Sequence, residues 1–319
     1  MAADVRMPAS LVKPWRALFV REPDRTDAAG GARTARQMST LLGGGISPER
    51  MFELLGQDDS NGEAAVRVSH RVADGQSPVD AMAHAAGPEW RVLAAAWQLA
   101  ATSGAPLGPA LARIGEALAG LHRLQERRGV IMAGPKATVV TVASLPPLAL
   151  ALGAALGFDP APVLGTPVGA MLLLVGTLLL VCGVSWARML QRQVEVGDHV
   201  SGLECELAWI VVRGGVDPGT APRVVADAVD SVGAEWVPFT RFLADAPLRR
   251  TISAARQAGV PLAALLLEEA QAERAAAHAR LEQEAEQLGI RVLIPLAVCV
   301  LPSFILVGVV PVVLSMLRV

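Results

Sequence analysis

Tyrosine does not occur in this chain, lysine occurs only at Lys13 and Lys136, and cysteine only at Cys182, Cys205 and Cys299. An odd number of cysteines without zinc-type spacing excludes a disulfide framework and a metal knuckle as the basis of the fold. The three read as small buried residues. Lys+Arg number 28 against 30 Asp+Glu, for a net charge of −2, and no basic patch of the kind nucleic acid requires is evident. No G-x-x-x-x-G-K-[ST], H-E-x-x-H or G-x-S-x-G occurs, so a P-loop, a zincin helix and a nucleophile elbow are all missing. Gly43-Gly44-Gly45 reads as a helix stop, and the five histidines are scattered over polar faces. The expectation is a protein with no catalytic, cofactor-binding or metal-binding residues.

Charge is also missing over three long stretches, 137–158, 161–187 and 292–317. Each suffices for the roughly 20 apolar residues that cross a bilayer core. They predict spans at 138–157, 164–187 and 290–317, within a chain of mean hydropathy +0.43. No ionisable side chain sits deep in any of them, which disfavours proton relays and ion pathways. Residues 1–25 scatter charges and hold no long apolar core, so no cleaved leader is expected.

Arg123, Arg127, Arg128 and Lys136 precede the first span, Arg188 and Arg192 follow the second, and Arg291 precedes the third. The connection near Asp159 and Pro160 carries no Lys or Arg. The positive-inside rule then predicts a cytoplasmic N-terminus and middle region and an extracytoplasmic C-terminus.

The chain also repeats itself. Ser103-Gly104-Ala105-Pro106-Leu107 opens a charged helix leading to an apolar stretch with Pro147 and Gly153. Ala258-Gly259-Val260-Pro261-Leu262 opens another, leading to Pro302 and Gly308; the offset is 155 at the turn, the proline and the glycine. Upstream, Gly45-Ile46-Ser47-Pro48 is echoed by Gly215-Val216-Asp217-Pro218 at an offset of 170, so the first unit is 15 residues longer. Glycine suits the left-handed position that ends a helix, Ser or Asp caps the next, and proline fits its first position. Helices are predicted at 35–43, 48–56, 62–74, 78–86, 88–103 and 107–133, then at 200–213, 218–230, 236–244, 247–258 and 262–288. Strand-like alternation is absent.

The predicted organisation is therefore a loosely ordered segment over 1–34, with a tether from Asp24 to Gly31, and with Met7–Val20 either lying on a membrane surface or packing on the first domain. A cytoplasmic bundle over 35–137, a membrane hairpin over 138–187, a second bundle over 188–289 and a third span over 290–317 follow. Structural turns are expected at Gly45, Pro48, Gly104, Pro106, Gly215, Pro218, Gly259 and Pro261, and intramembrane kinks at Pro147 and Pro302. Proline frees backbone carbonyls, so these spans should pack against one another or against another membrane subunit. The acidic helix 262–288 is a solvated stalk or a docking face for a partner.

Two helical units, each opened by Gly-x-(Ser/Asp)-Pro and Gly-x-Pro-Leu turns and each leading into a proline-containing span, resemble the type II secretion system F family. Leu293-Ile294-Pro295-Leu296, Leu301-Pro302-Ser303-Phe304 and Val310-Pro311 look most like its tight-adherence (Flp pilus) B/C branch. The resemblance implies an all-α integral inner-membrane protein with two duplicated cytoplasmic bundles of about six helices and three transmembrane helices. It implies a platform in a pilus or secretion machine, with no cofactor. The implied partners are a cytoplasmic secretion ATPase, pilin or pseudopilin subunits, membrane lipid, and itself or a paralogous platform subunit. The competing readings are a permease or transporter subunit for a small solute or lipid, which predicts polar groups in the spans, and a membrane-anchored signalling protein, which predicts a catalytic or receiver module.

Overall fold

The computed structural model describes residues 27–85, 87–155, 166–195, 200–311 and 313. Helices α1 to α6 are Ala28–Gly43, Pro48–Gln57, Gly62–Ala73, Pro78–Ala83, Pro88–Ser103 and Leu107–Ala155. Helices α7 to α11 are Pro167–Glu195, Leu203–Arg213, Ala221–Val232, Pro247–Ala258 and Leu262–Arg291. No strand occurs among the described residues. The connection near Asp159 and the segment Met7–Val20 lie outside them.

Three helices are long and apolar enough to cross a bilayer: Leu107–Gly153, Pro167–Gln191 and Leu262–Val309. The first and third each fuse a charged helix to an apolar one. In α6 this makes 49 continuous residues, about 74 Å at 1.5 Å per residue. In the third, α11 runs on into α-helical pieces Leu293–Pro295 and Leu301–Phe304, which alternate with π-helical stretches Leu296–Val300 and Ile305–Val309.

Several expectations need correction. The tether read into Asp24–Gly31 is helical from Ala28 onward, so the first helix starts seven residues before 35. Asp27 accepts the Gly30 N–H at 2.8 Å and caps it. Gly31 is there for packing, since a Cβ on it would lie 2.8 Å from the Glu89 Cβ. The helix expected at 236–244 is a run of turns around a short 3₁₀ helix, Phe239–Phe242. Pro238 at its start and Pro247 just after it hold their surroundings extended, Ala246 having ψ 152°. The helix expected from 218 begins at Ala221, because Asp217 closes a turn on itself: its carbonyl accepts the Thr220 N–H and its carboxylate the Gly219 N–H.

The largest correction concerns the bundles. The first half holds six helices, but the described second half holds four and the 3₁₀ turn. Nor do the described residues of the two bundles form separate cores. One hydrophobic cluster runs from Ala28 to Leu121 and on through Val200 to Ala270. Helix α5 is the reason: it is buried nearly all round, with Trp90, Val92 to Trp97, Leu99 and Ala100 inside, and it packs on α4 and α6 of its own half and on α8 and α9 of the other. A composition of alanine and leucine all round, where an amphipathic stripe would suffice for a surface helix, is the sequence sign of such a position.

Candidate functional site: the bundle tip, a buried charge cluster and the intramembrane seam

The turn residues gather at one end of the bundle. Gly45, Gly104, Gly215 and Gly259 have φ of 81°, 78°, 91° and 66°, a region that side chains avoid. The turns after α1 and α8 share one hydrogen-bond pattern: Gly44, Gly45 and Ile46 donate to Thr40, Leu42 and Leu41, as Gly214, Gly215 and Val216 donate to Ile210, Val212 and Val211. Ser47 caps α2, with Pro48 in its first turn. Pro106 and Pro261 each directly precede a long helix, at Leu107 and Leu262, while Pro218 lies within the Asp217 turn. Gly214 sits against Ser103, and Arg256 reaches Asp217 at 3.5 Å, so neighbouring turns from both halves touch. Helices α6 and α11 start at this end and run away from it toward their apolar parts. The tip is thus the point farthest from the spans.

Between tip and spans lies a cluster of buried charge that sequence reasoning missed. Glu204 and Glu206 in the first turn of α8 are almost fully buried. Arg274 of α11 donates to Glu206 at 2.9 Å. Arg241 donates to Glu273 of α11 at 3.0 Å and stands 3.6 Å from Glu204. One oxygen on each of Glu204 and Glu206, and Nη1 of Arg274, have no hydrogen-bond partner. Burial pushes both carboxyls above the ordinary carboxylate range, against the pull of the arginines. Burial and the neighbouring carboxylates likewise push the Cys205 thiol up, which leaves it inert. The cluster ties α8 and the 3₁₀ turn to α11, and it can hold a proton, but it offers no nucleophile. Its signal was legible as two glutamates inside the apolar run Leu203-Glu204-Cys205-Glu206-Leu207-Ala208-Trp209-Ile210.

Farther along the same helices, Arg127 of α6 pairs with Glu282 of α11. These residues are 155 apart, so the long helices meet at equivalent positions of the repeat. Beyond them the third span is wedged against α7. Gly169, Gly176 and Gly183 are buried at seven-residue spacing on α7. Gly176 lies against Val307, and a Cβ on Gly183 would stand 2.7 Å from the Cys299 Cβ. The Ser303 hydroxyl donates to the Gly176 carbonyl at 2.7 Å inside this seam. On the other side, a Cβ on Gly308 would meet Ala149 of α6 at 2.9 Å. Small residues here let backbones approach, as membrane helix interfaces require. Pro302 lies between the two π-helical stretches, whereas α6 stays α-helical through Pro146 and Pro147.

No curated protein matches the chain. The family model described as type II secretion system (T2SS), protein F, matches residues 34–154, that is α1 from Thr34 through α6 to its apolar end.

Proposed function

We propose that this protein is an inner-membrane platform of a type IV-like pilus or type II secretion machine, of the tight-adherence (Flp) kind. In this role a cytoplasmic secretion ATPase acts on the bundle, and the protein passes that action to pilin or pseudopilin subunits in the bilayer. The protein F domain over 34–154 carries the reading, because that family consists of structural platform proteins. The geometry supports it. Helix α6 runs unbroken from the bundle tip into its apolar segment, and α11 leads into the helical pieces of the third span, so a force on the tip has a direct path to the spans. The tip, with its left-handed glycine turns, would face the cytoplasm, as the arginines flanking the first two spans favour. The C-terminus would be extracytoplasmic.

Crosslinking in native membranes followed by purification tests this. Recovery of a hexameric secretion ATPase and a pilin-like protein is the expected outcome. Recovery of neither, from cells that contain both, would overturn it. A reporter at residue 240 should read as cytoplasmic.

A further inference from the structure

The first and third spans are equivalent in the repeat, yet only one of them has its seam filled. The third span meets α7 through Pro295, Cys299, Val300, Ser303 and Val307. Shifted by 155, these are Val140, Ser144, Leu145, Leu148 and Leu152 of α6. The first five are buried or hydrogen-bonded in the seam; the second five are all exposed, Leu148 at 60% and Leu152 at 59%. The first span uses a different side, around Ala149 and Gly153, to pack on the third.

We infer that this open face of the first span is a docking site for a transmembrane helix of another polypeptide, apolar along its length and carrying glycine or alanine seven residues apart. The repeat says what fits. On the third span the same face takes α7, whose glycines at 176 and 183 accept Val307 and Cys299. On the first span Leu148 stands where the third has Ser303, so the hydrogen bond to a facing carbonyl is gone and larger apolar knobs replace it. Ser144 spends its hydroxyl on the Thr141 carbonyl of its own helix, at 2.7 Å. Leucine knobs need holes, and small residues two turns apart on an apolar helix provide them.

Other occupants fit less well. The glycine stripe of α7 in a second copy is already filled by that copy's third span. Two first spans face to face would set leucine against leucine with no holes. Residues 1–26 carry charge at Asp4, Arg6, Lys13, Arg16, Arg21, Glu22, Asp24 and Arg25, too often for a spanning helix. This inference rests on the repeat and the fold, and would stand if the platform reading fell.

The test uses full-length protein in phosphatidylethanolamine–phosphatidylglycerol vesicles, with a benzoylphenylalanine photo-crosslinker at Leu148 or, as the lipid-facing control, at Leu178 of α7. The probe is a synthetic peptide of residues 167–191. Capture from position 148 should exceed capture from position 178 at least about tenfold, the equivalent of ~1.4 kcal/mol. It should fall to the control level for a peptide carrying Gly176→Leu and Gly183→Leu. In native membranes, the adduct from position 148 should map to an apolar segment with small residues seven apart. Equal capture of both peptides, lipid adducts alone, or adducts only with residues 1–26 or with a second copy would overturn the inference. Oxidation of Cys182 to Cys299, which lie side by side across the seam, reports that a photo-crosslinker variant is folded. Position 152 replaces 148 if that signal is lost.

Discussion

The two halves of the bundle start from the same turns and end up in opposite situations. In the first half, α5 is sealed between its own helices and those of the second half. Its counterpart α10 lies at the outside, with Arg249 and Arg250 exposed where α5 has the buried Ala94 and Ala95. In the first half, the extra helix α3 packs on α2; among the described residues of the second there is no such helix, and α5 of the first half packs on α9 instead. A repeated unit that stacks once needs one apolar joint and two finished ends, and polar outer faces at the ends keep such arrays soluble. Here α3 finishes one end and the arginines of α10 the other. In the spans the imbalance reverses: the second half's span is partnered and the first half's is open.

Exchanging residues between equivalent positions breaks this comparison most sharply. Ala95→Arg installs in α5 the residue that α10 carries at Arg250. It buries an unpaired charge in the joint and should cost more than ~4 kcal/mol, enough to prevent stable folding of the bundle. The reverse change, Arg250→Ala, lies on a solvated face and should stay within ~0.5 kcal/mol. Thermal unfolding of the two variants in detergent decides it, and comparable losses would mean that the two helices are not differently placed.

The seam on α7 gives the next effect. Gly176→Leu drives a side chain into Val307 and should cost ~1–3 kcal/mol of span packing. It should also lower the yield of the Cys182–Cys299 disulfide under mild oxidation. Gly134→Leu on α6 is the control, because a Cβ there meets nothing within 4 Å, and its disulfide yield should match the parent.

Much of this was legible in the amino-acid order. Turn glycines followed within three residues by proline mark local chemistry, so the ends of α1, α3, α5, α8 and α10 fall within a few residues of their predicted places. The charge-free stretches located the spans. The failures share a cause, which is that tertiary partners are invisible in a single strand of letters. Gly31 read as part of a tether because its neighbour Glu89 is 58 residues away. The run Trp236 to Ala244 read as a helix because propensity ignores how Pro238 and Pro247 confine it. The alanine-rich α5 read only as a helix over 88–103, and its all-round burial makes it the joint between halves. Glu204 and Glu206 went unread, since their arginines come from distant elements.

A third change concerns a neutral-versus-charged contrast. At the 170 offset, Glu204 corresponds to Thr34, which is buried and bonds the Asn61 side chain at 3.4 Å. The Glu204 carboxyl is raised by burial, so its protonated form is the one the fold prefers. Its contribution is therefore fully present below the ordinary carboxylate range and is lost as pH rises through the raised value. Glu204→Gln removes the ionisation and should flatten the acid-to-neutral fall in stability. At pH 8 the variant should exceed the parent by ~1–2 kcal/mol, the cost of an unsatisfied buried polar group. A variant less stable than the parent at pH 8 would show that pairing with Arg241 outweighs burial.

The smallest effect tests where the two long helices meet. Arg127 and Glu282 are each other's repeat equivalents, and their contact places a local two-fold relation between α6 and α11. Both side chains are well exposed, so solvent screens the pair and its worth is at most ~1 kcal/mol. Glu282→Arg should therefore cost a few tenths of a kcal/mol, chiefly through repulsion of Arg127, and the cost should shrink as salt rises. Because the positions are equivalent, the double exchange Arg127→Glu with Glu282→Arg should restore the pair in reverse and recover most of that loss. A double-mutant cycle reads the coupling directly. If the exchange left the coupling at zero, solvent screening would cancel the pair entirely, and the contact between equivalent positions would rest on the packing of α6 against α11 alone.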